Sequence, residues 1–340
     1  MILVVSGATG GHLYPAIAIC NQLNVPAHTV VSRHHPASEI LTAAHMTHTI
    51  CELSLKKWWL LPVNILNICW LLFRVRPQVL LLMGGGICVP FAILSWLFRI
   101  PSIGFEQNAI PGRATRLVQW FVEHLITSFP EAESLLSVKK KIKCLGNPIR
   151  FNDQDNNDQL PIEIEHLSGD TILVVGGSQG ARGLNAFVDQ QKNQILNQGM
   201  NIIHLAGAAF FKDKDANRIV QEVNGCHYIA IPYANKMVSL FKKSTVVMCR
   251  AGATTLAELQ HFGLPAILVP FPFAKDNHQH ANAKAFCNQQ SNARLINEAD
   301  LTWEWWLQNI KDIRSSKPTV STSADQVLNS ICEIIQTFLK

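Results

Sequence analysis

Ile2-Leu-Val-Val-Ser6 runs into Gly7-Ala-Thr-Gly-Gly-His12, and about 170 residues later Ile172-Leu-Val-Val-Gly176 runs into Gly177-Ser-Gln-Gly-Ala-Arg182. Each is an apolar strand passing into a glycine-rich turn that opens a helix. Glycine there lets backbone N–H groups approach an anion closely, and the helix N-terminus adds partial positive charge, a geometry suited to a diphosphate. Neither turn is a full GxGxxG, and a short glycine cluster after a strand also serves as a plain tight connection. The pairing implies an α/β chain of two Rossmann-like, doubly wound halves, with ligands expected in a cleft at the carboxyl ends of the parallel strands.

Outward from these turns, strand-like runs alternate with helical stretches: 2–5, 27–32, 79–83 and 102–105, then 171–175, 201–206, 228–231, 246–249 and 266–269. That alternation predicts parallel sheets covered by helices on both faces. The most polar stretch, Asn152 to Asp158, follows Gly146-Asn-Pro-Ile-Arg150 and reads as a linker. The expected domains are 1–150 and 151–322, with a last helix from about 323 to 340 packing back on the first.

The 340 residues, 48% hydrophobic and 16% charged, suffice for two ordinary cores and exclude a disordered chain. Nine scattered cysteines, with no CxxC pair and an odd total, argue against a disulfide framework and a zinc site, and favour a reducing cytoplasm. No basic segment precedes the first apolar run, so no secretory signal is expected. Charge is unequally shared: residues 1–150 hold 13 Lys and Arg against 6 Glu and no Asp, while the remainder holds 16 against 18 acids. A basic first half suits anionic lipid or an anionic substrate. Nucleic acid is disfavoured, since no basic helix with interleaved aromatics and no nucleic-acid motif is present.

Lys56-Lys57 precede an apolar run from Trp58 to Phe73, and Arg74 and Arg76 follow it. The run is short for a membrane span, which needs about 20 residues, and Pro62, Asn64 and Asn67 interrupt it. Two readings stand: a buried helix with a narrow polar stripe, or an interfacial helix whose tryptophans and flanking cations favour an anionic leaflet.

His12 closes the first turn, where a neutral imidazole could take a proton from an incoming hydroxyl; a lone histidine is also commonly structural. Glu106-Gln-Asn108, before Ala-Ile-Pro-Gly112, ends a strand on the same side and reads either as sugar-orienting groups or as turn and cap chemistry. Cys249-Arg-Ala-Gly-Ala-Thr-Thr-Leu-Ala-Glu258 runs from strand to loop to helix, opening backbone N–H groups near Ala253, Thr254 and Thr255 to a phosphate. Glu258 is placed to accept ribose hydroxyls; the alternative is capping by either threonine with Glu258 a solvated acid. Lys275 to Asn282 is dense in hydrogen-bonding groups, suiting a sugar or a plain polar loop.

Taken together, GATGGHLYPA at 7–16, EQNAIPG at 106–112, GNPIR at 146–150, GGSQGAR at 176–182 and CRAGATTLAE through PFPFAKDNHQHANA resemble the MurG family of bacterial transferases. Those enzymes add N-acetylglucosamine to undecaprenyl-pyrophosphoryl-muramyl peptide, lipid I, to make lipid II. The resemblance covers residues 2 to about 286. It implies a GT-B fold, UDP-N-acetylglucosamine as donor, peripheral attachment to anionic lipid at the cytoplasmic face of the inner membrane, and cell-wall synthesis proteins as partners. By the same resemblance Thr9, Gly10 and Gly11 line the reacting sugar and acceptor, with His12 the candidate base. Asn108 contacts the donor sugar, and Asn108 and Glu106 join His12 as catalytic candidates. Arg150 and Ser178 meet the nucleotide diphosphate; Ala253, Thr254, Thr255, Leu256, Ala257 and Glu258 hold diphosphate and ribose; Gln279 holds the sugar hydroxyls, and the uracil lies near Ala234. The chain departs from the family at Phe105, usually His, at Gly84-Gly-Gly-Ile-Cys-Val-Pro90, which lacks a Tyr and a Ser, and at His278, usually Gln.

The resulting expectation is an inverting transfer to the muramyl 4-hydroxyl, giving a β-1,4 link with no cofactor and no obligatory metal, since no acidic pair of the DxD kind stands at a matching place. Rivals are another UDP-sugar enzyme, including a UDP-N-acetylglucosamine epimerase, an NAD(P) oxidoreductase, and a non-catalytic sugar-nucleotide binder. The dinucleotide reading expects an acid after the second strand of a half. Ser32-Arg33 and His204-Leu-Ala-Gly207 supply none, although Arg33 leaves NADP open.

Overall fold

A computed structural model describes the chain except for residues 8, 33–34, 52–60, 150–159, 178–179, 213–217, 235–236, 317–322 and 340, and the side chains of 35, 36 and 61. The features expected at Arg33, Lys56, Lys57, Trp58, Trp59 and 152–158 therefore lie outside the described residues. The chain divides into two compact units: Met1–Arg150 with Ser323–Lys340, and Phe151–Thr322.

The first unit alternates β1 (Ile2–Ser6), α1 (Gly10–Leu23), β2 (Ala27–Ser32), α2 (His35–Ala43), β3 (Thr47–Cys51), α3 (Leu61–Val75), β4 (Val79–Leu82), α4 (Cys88–Leu97), β5 (Ser102–Glu106), α5 (Arg113–Val118), β6 (His124–Thr127), α6 (Pro130–Ser134) and β7 (Ile142–Cys144). The strands form one parallel sheet in the order β3-β2-β1-β4-β5-β6-β7. β1, β4 and β5 are buried along their whole length, which is why β1 up to Val5 and β4 throughout read as unbroken apolar runs. Apolar side chains cover both faces: Leu3, Val5, Leu80 and Leu82 pack toward α3 and α4, while Ile2, Val4, Val79 and Leu81 pack toward α1.

The second unit contains α7 (Ile162–Glu165), β8 (Thr171–Val175), α8 (Arg182–Asn197), β9 (Asn201–Leu205), β10 (Ile219–Val223), β11 (Cys226–Ile231), α9 (Met237–Lys243), β12 (Val246–Cys249), α10 (Ala253–Phe262), β13 (Ala266–Leu268), α11 (His278–Gln289), β14 (Ala293–Leu295) and α12 (Trp303–Ser315). Its order is β10-β11-β9-β8-β12-β13-β14. One strand departs from the all-parallel expectation: β10 runs antiparallel to β11 at the sheet edge. Asn224 and Gly225 join them with φ of 52° and 78°, the doubly positive pair that a tight hairpin turn demands. The final helix, α13 (Ala324–Gln336), belongs to the first unit, where Val327, Ile331 and Ile335 enter the core beneath α1 and Gln22 Nε2 donates to Asn329 Oδ1 at 2.9 Å.

The apolar segment near residue 60 forms α3, and the buried-helix reading is corrected. Ile68 and Leu72 are buried, but Leu66, Trp70 and Phe73 are exposed at 68%, 59% and 66%. Phe73 packs on Phe98 at 5.3 Å between centroids, and Trp96 on Phe121 at 5.8 Å, so the exposed apolar face continues across α4, with Trp120 beyond it. Arg74 lies over the Trp70 ring at 4.9 Å. A patch of this kind on a folded surface marks an interaction site. Among the described residues, no helix is long and apolar enough to cross a membrane.

Candidate functional site

In the first unit the strand order reverses between β1 and β4, the place where an open parallel sheet leaves a crevice outside its strand ends. The loops after β1, β4 and β5 meet there. Gly7 N–H donates to Gly84 O at 2.9 Å, and Gly84 and Gly85 hold φ of 114° and 91°. His12, third residue of α1, packs between these turns: a Cβ on Gly7 would fall 3.1 Å from its Cδ2, and one on Gly84 2.8 Å from its Cε1. Its Nδ1 lies 3.1 Å from Gln107 Oε1, and Gln107 Nε2 donates to Met83 O at 2.8 Å. At the mouth of α1, Thr9 and Gly11 are exposed and Gly10 half-buried.

Glu106 ends β5 with only 4% of its surface exposed, and both oxygens are engaged. Oε1 accepts from Asn108 N–H at 3.0 Å and Asn108 Nδ2 at 3.2 Å; Oε2 accepts from Gly112 N–H at 2.9 Å and Thr115 Oγ1 at 2.5 Å. The turn-and-cap reading accounts for both oxygens of Glu106, whose carboxylate shapes the loop. Asn108 is held by its amide nitrogen, so its carbonyl oxygen is the atom turned away from the carboxylate. Three of the departures from the family pattern face inward, while His278 is half-buried. Phe105, Ile87 and Cys88 are all buried, with the Cys88 thiol donating to Gly84 O at 3.2 Å and pushed up to about 12 by burial.

In the second unit the order reverses between β8 and β12. The turn after β8 needs its glycines: Gly180 holds φ of 77°, and a Cβ there would collide with the Ala206 carbonyl. Ser178 and Arg150 lie outside the described residues. α10 starts after Gly252, which occupies the cap position without a side-chain bond, so neither Thr254 nor Thr255 caps it, and the capping alternative fails. Ala253, Thr254 and Thr255 form the first turn, whose N–H groups a helix leaves without intrahelical partners. Thr254 Oγ1 is buried with no hydrogen-bond partner among the described residues. Leu256 backs this turn rather than lining it, because its side chain is buried and its N–H donates to Gly252 O at 3.0 Å.

Glu258 is 7% exposed, which overturns the solvated-acid alternative. It lies close enough to Cys249 to help burial push that thiol up to about 12. Ala257 is half-buried, as is Ala234 beyond the end of β11. Gln279 Oε1 accepts from Phe271 N–H at 2.9 Å, so the Nε2 hydrogens are what this side chain offers to sugar oxygens. Arg250, quoted in the motif without a role, braces the site. It donates to Val269 O and Pro270 O at 3.1 Å, pairs with Glu298 and lies over the Phe271 ring. Among the described residues, no group of three His, Cys, Asp or Glu is placed to hold a metal ion.

Known proteins with these features are numerous. The glycosyltransferase family 28 N-terminal domain matches residues 2–127 and the family 28 C-terminal domain residues 171–338. A transferase of Nitrosospira multiformis is 34% identical over 89% of this chain and 87% of its own length. One of Anaeromyxobacter dehalogenans is 35% identical over 92% and 84%. Both bear the name UDP-N-acetylglucosamine–N-acetylmuramyl-(pentapeptide) pyrophosphoryl-undecaprenol N-acetylglucosamine transferase. The crystal structure of Acinetobacter baumannii MurG superposes with a TM-score of 0.70 at 20% identity, covering 99% of each chain, and shares the two-sheet GT-B fold.

Proposed function

The chain belongs to glycosyltransferase family 28, and we propose that it moves N-acetylglucosamine from UDP-N-acetylglucosamine to the muramyl 4-hydroxyl of an undecaprenyl-pyrophosphoryl acceptor, with inversion. The observation that carries this reading is the α10 N-terminus at Ala253–Thr255 with buried Glu258 one turn further on, at the strand-order reversal of the second sheet. Diphosphate charge grows as the sugar–phosphate bond breaks, and backbone N–H groups aimed at it stabilise that charge without reorganising. Glu258 takes the ribose hydroxyls, Gln279 donates to the sugar oxygens, Ala234 lies by the uracil, and Arg150 and Ser178 complete the diphosphate contacts. In the first unit His12 takes the proton of the attacking hydroxyl, Asn108 contacts the donor sugar, and Thr9 to Gly11 receive the acceptor.

The helix N-terminus and Arg150 supply the positive charge a divalent cation would otherwise bring, so activity is expected to persist in EDTA. For the acceptor lipid, the exposed face of α3 and α4 with its flanking arginines suits the headgroup region of an anionic leaflet, and attachment is peripheral. The deciding assay is UDP release from UDP-N-acetylglucosamine with and without a lipid I analogue. Acceptor-dependent release supports the transferase; release that ignores the acceptor sinks it.

A further inference from the structure

We propose that Gln107 is a positioning residue that holds His12 in the neutral tautomer carrying its proton on Nδ1, so that Nε2 is the nitrogen that accepts the acceptor hydroxyl's proton. This rests on the reading of His12 as the base. Gln107 is 4% exposed, and its amide can face only one way. Its 2.8 Å contact is with the Met83 carbonyl oxygen, an acceptor, so the group there must be the NH₂. The opposite orientation would press two carbonyl oxygens together. With the nitrogen on Met83, Gln107 Oε1 is the atom 3.1 Å from His12 Nδ1, and an oxygen without hydrogens requires a donor there. The neutral Nδ1–H form supplies that donor, and the Nε2–H form does not.

Met83 is itself fixed, since its N–H donates to Val5 O at 2.8 Å. The orientation of one amide is thus tied to the pairing of β1 with β4, and through that amide to the proton on the imidazole. In the chemical step the hydroxyl O–H bond breaks and an Nε2–H bond forms. The oxygen bonds to the anomeric carbon, and the sugar–phosphate electron pair leaves on UDP. Imidazolium, once formed, still donates through Nδ1 to Gln107, so the same contact serves before and after transfer. Gly7, Gly84 and the Gln107 amide, which lie against the ring, carry no charge. The neighbouring Cys88 thiol is held neutral by burial, and the Glu106 carboxylate is turned to Asn108, Gly112 and Thr115.

The test is a long-range proton–nitrogen correlation spectrum of the full chain labelled with ¹⁵N-histidine, the His12 signals being assigned by their loss in His12→Asn. The expected result is Nδ1–H in the unaltered protein. In Gln107→Leu a shift toward Nε2–H is expected, with kcat lower by at least about tenfold of the roughly 10²–10⁴-fold a general base supplies. Gln107→Glu, whose protonated carboxyl can donate to Met83 O as the amide does and present its carbonyl oxygen to the ring, is expected to keep the Nδ1–H form. An Nε2–H form in the unaltered protein, or an unchanged tautomer in Gln107→Leu, overturns the proposal. Should Gln107→Leu fail to fold, an Nε2–H form in Gln107→Glu would overturn it instead. Full turnover by His12→Asn would remove the base assignment alone and leave the tautomer result standing.

Discussion

The imidazole of His12 lies against the α-carbon of Gly84, so closely that a single methyl group at Gly84 would stand 2.8 Å from the ring's Cε1. Gly84 also holds φ of 114°, where an L side chain is strained. Gly84→Ala is therefore expected to lower stability by about 1–3 kcal/mol and to displace the ring. Urea titration and kcat on the same preparation check both effects; unchanged kcat would show that the ring's seat does not matter to turnover.

Glu106→Gln separates a structural carboxylate from a proton-transferring one. An amide NH₂ facing Gly112 N–H leaves a donor opposed to a donor in a buried place, although the Thr115 hydroxyl can turn to accept, costing about 1–3 kcal/mol. A lower Tm with a loosened Asn108 and a raised KM for donor is expected, the shape of the pH–rate profile being retained. Loss of one limb of that profile at unchanged Tm would mean that Glu106 moves protons.

Replacing Trp70 and Phe73 together by serine is expected to weaken flotation with vesicles rich in anionic lipid while leaving the fold intact. Both side chains are largely exposed, and surface changes of this kind rarely cost more than about 0.5 kcal/mol. Vesicle binding equal to that of the unaltered chain would remove α3 from the membrane-facing surface.

Two histidines of the first unit have pKa values held below the usual imidazole range, His28 by burial, His48 and Arg74, and His124 by burial and Lys143. A lowered folded pKa means that the unfolded chain binds the proton more readily. The stability these residues contribute is thus present above the unfolded pKa of about 6.5 and lost as pH falls through the folded values. Urea midpoints measured from neutral to mildly acidic pH should fall, and His28→Gln with His124→Gln should flatten that fall. An equal slope in the double variant would assign the acid sensitivity elsewhere.

Much of this was legible in the amino acids for a physical reason. Strands buried on both faces, such as β1, β4 and β8, must be continuous apolar runs, and the glycines after β1 and β8 mark turns in which a Cβ at Gly7, Gly176 or Gly180 would crowd its neighbours. Edge strands escaped because solvent lets them be polar: β3 reads Thr-His-Thr-Ile-Cys, and β7 is only Ile-Lys-Cys. β10 left a usable sign in Asn224-Gly225, a hairpin dipeptide between two alternating segments. The site was legible as motifs but not as contacts. Gln107 sits within a quoted motif, yet its partner His12 is 95 residues away and reached only through the order in which β1, β4 and β5 pair. Likewise the burial of Glu258 depends on what covers α10, which local spacing does not reveal.

The return of α13 to the first unit decides how the chain can be cut. A fragment ending near residue 150 would expose the socket beneath α1 that Val327, Ile331 and Ile335 fill, and each such side chain contributes about 1.5–3 kcal/mol when buried. The first unit is thus built from two separate lengths of chain. A piece comprising residues 1–322 should need the missing helix added back as a free peptide to regain its stability. That makes the C-terminal helix a natural half of a split protein, reassembled by mixing.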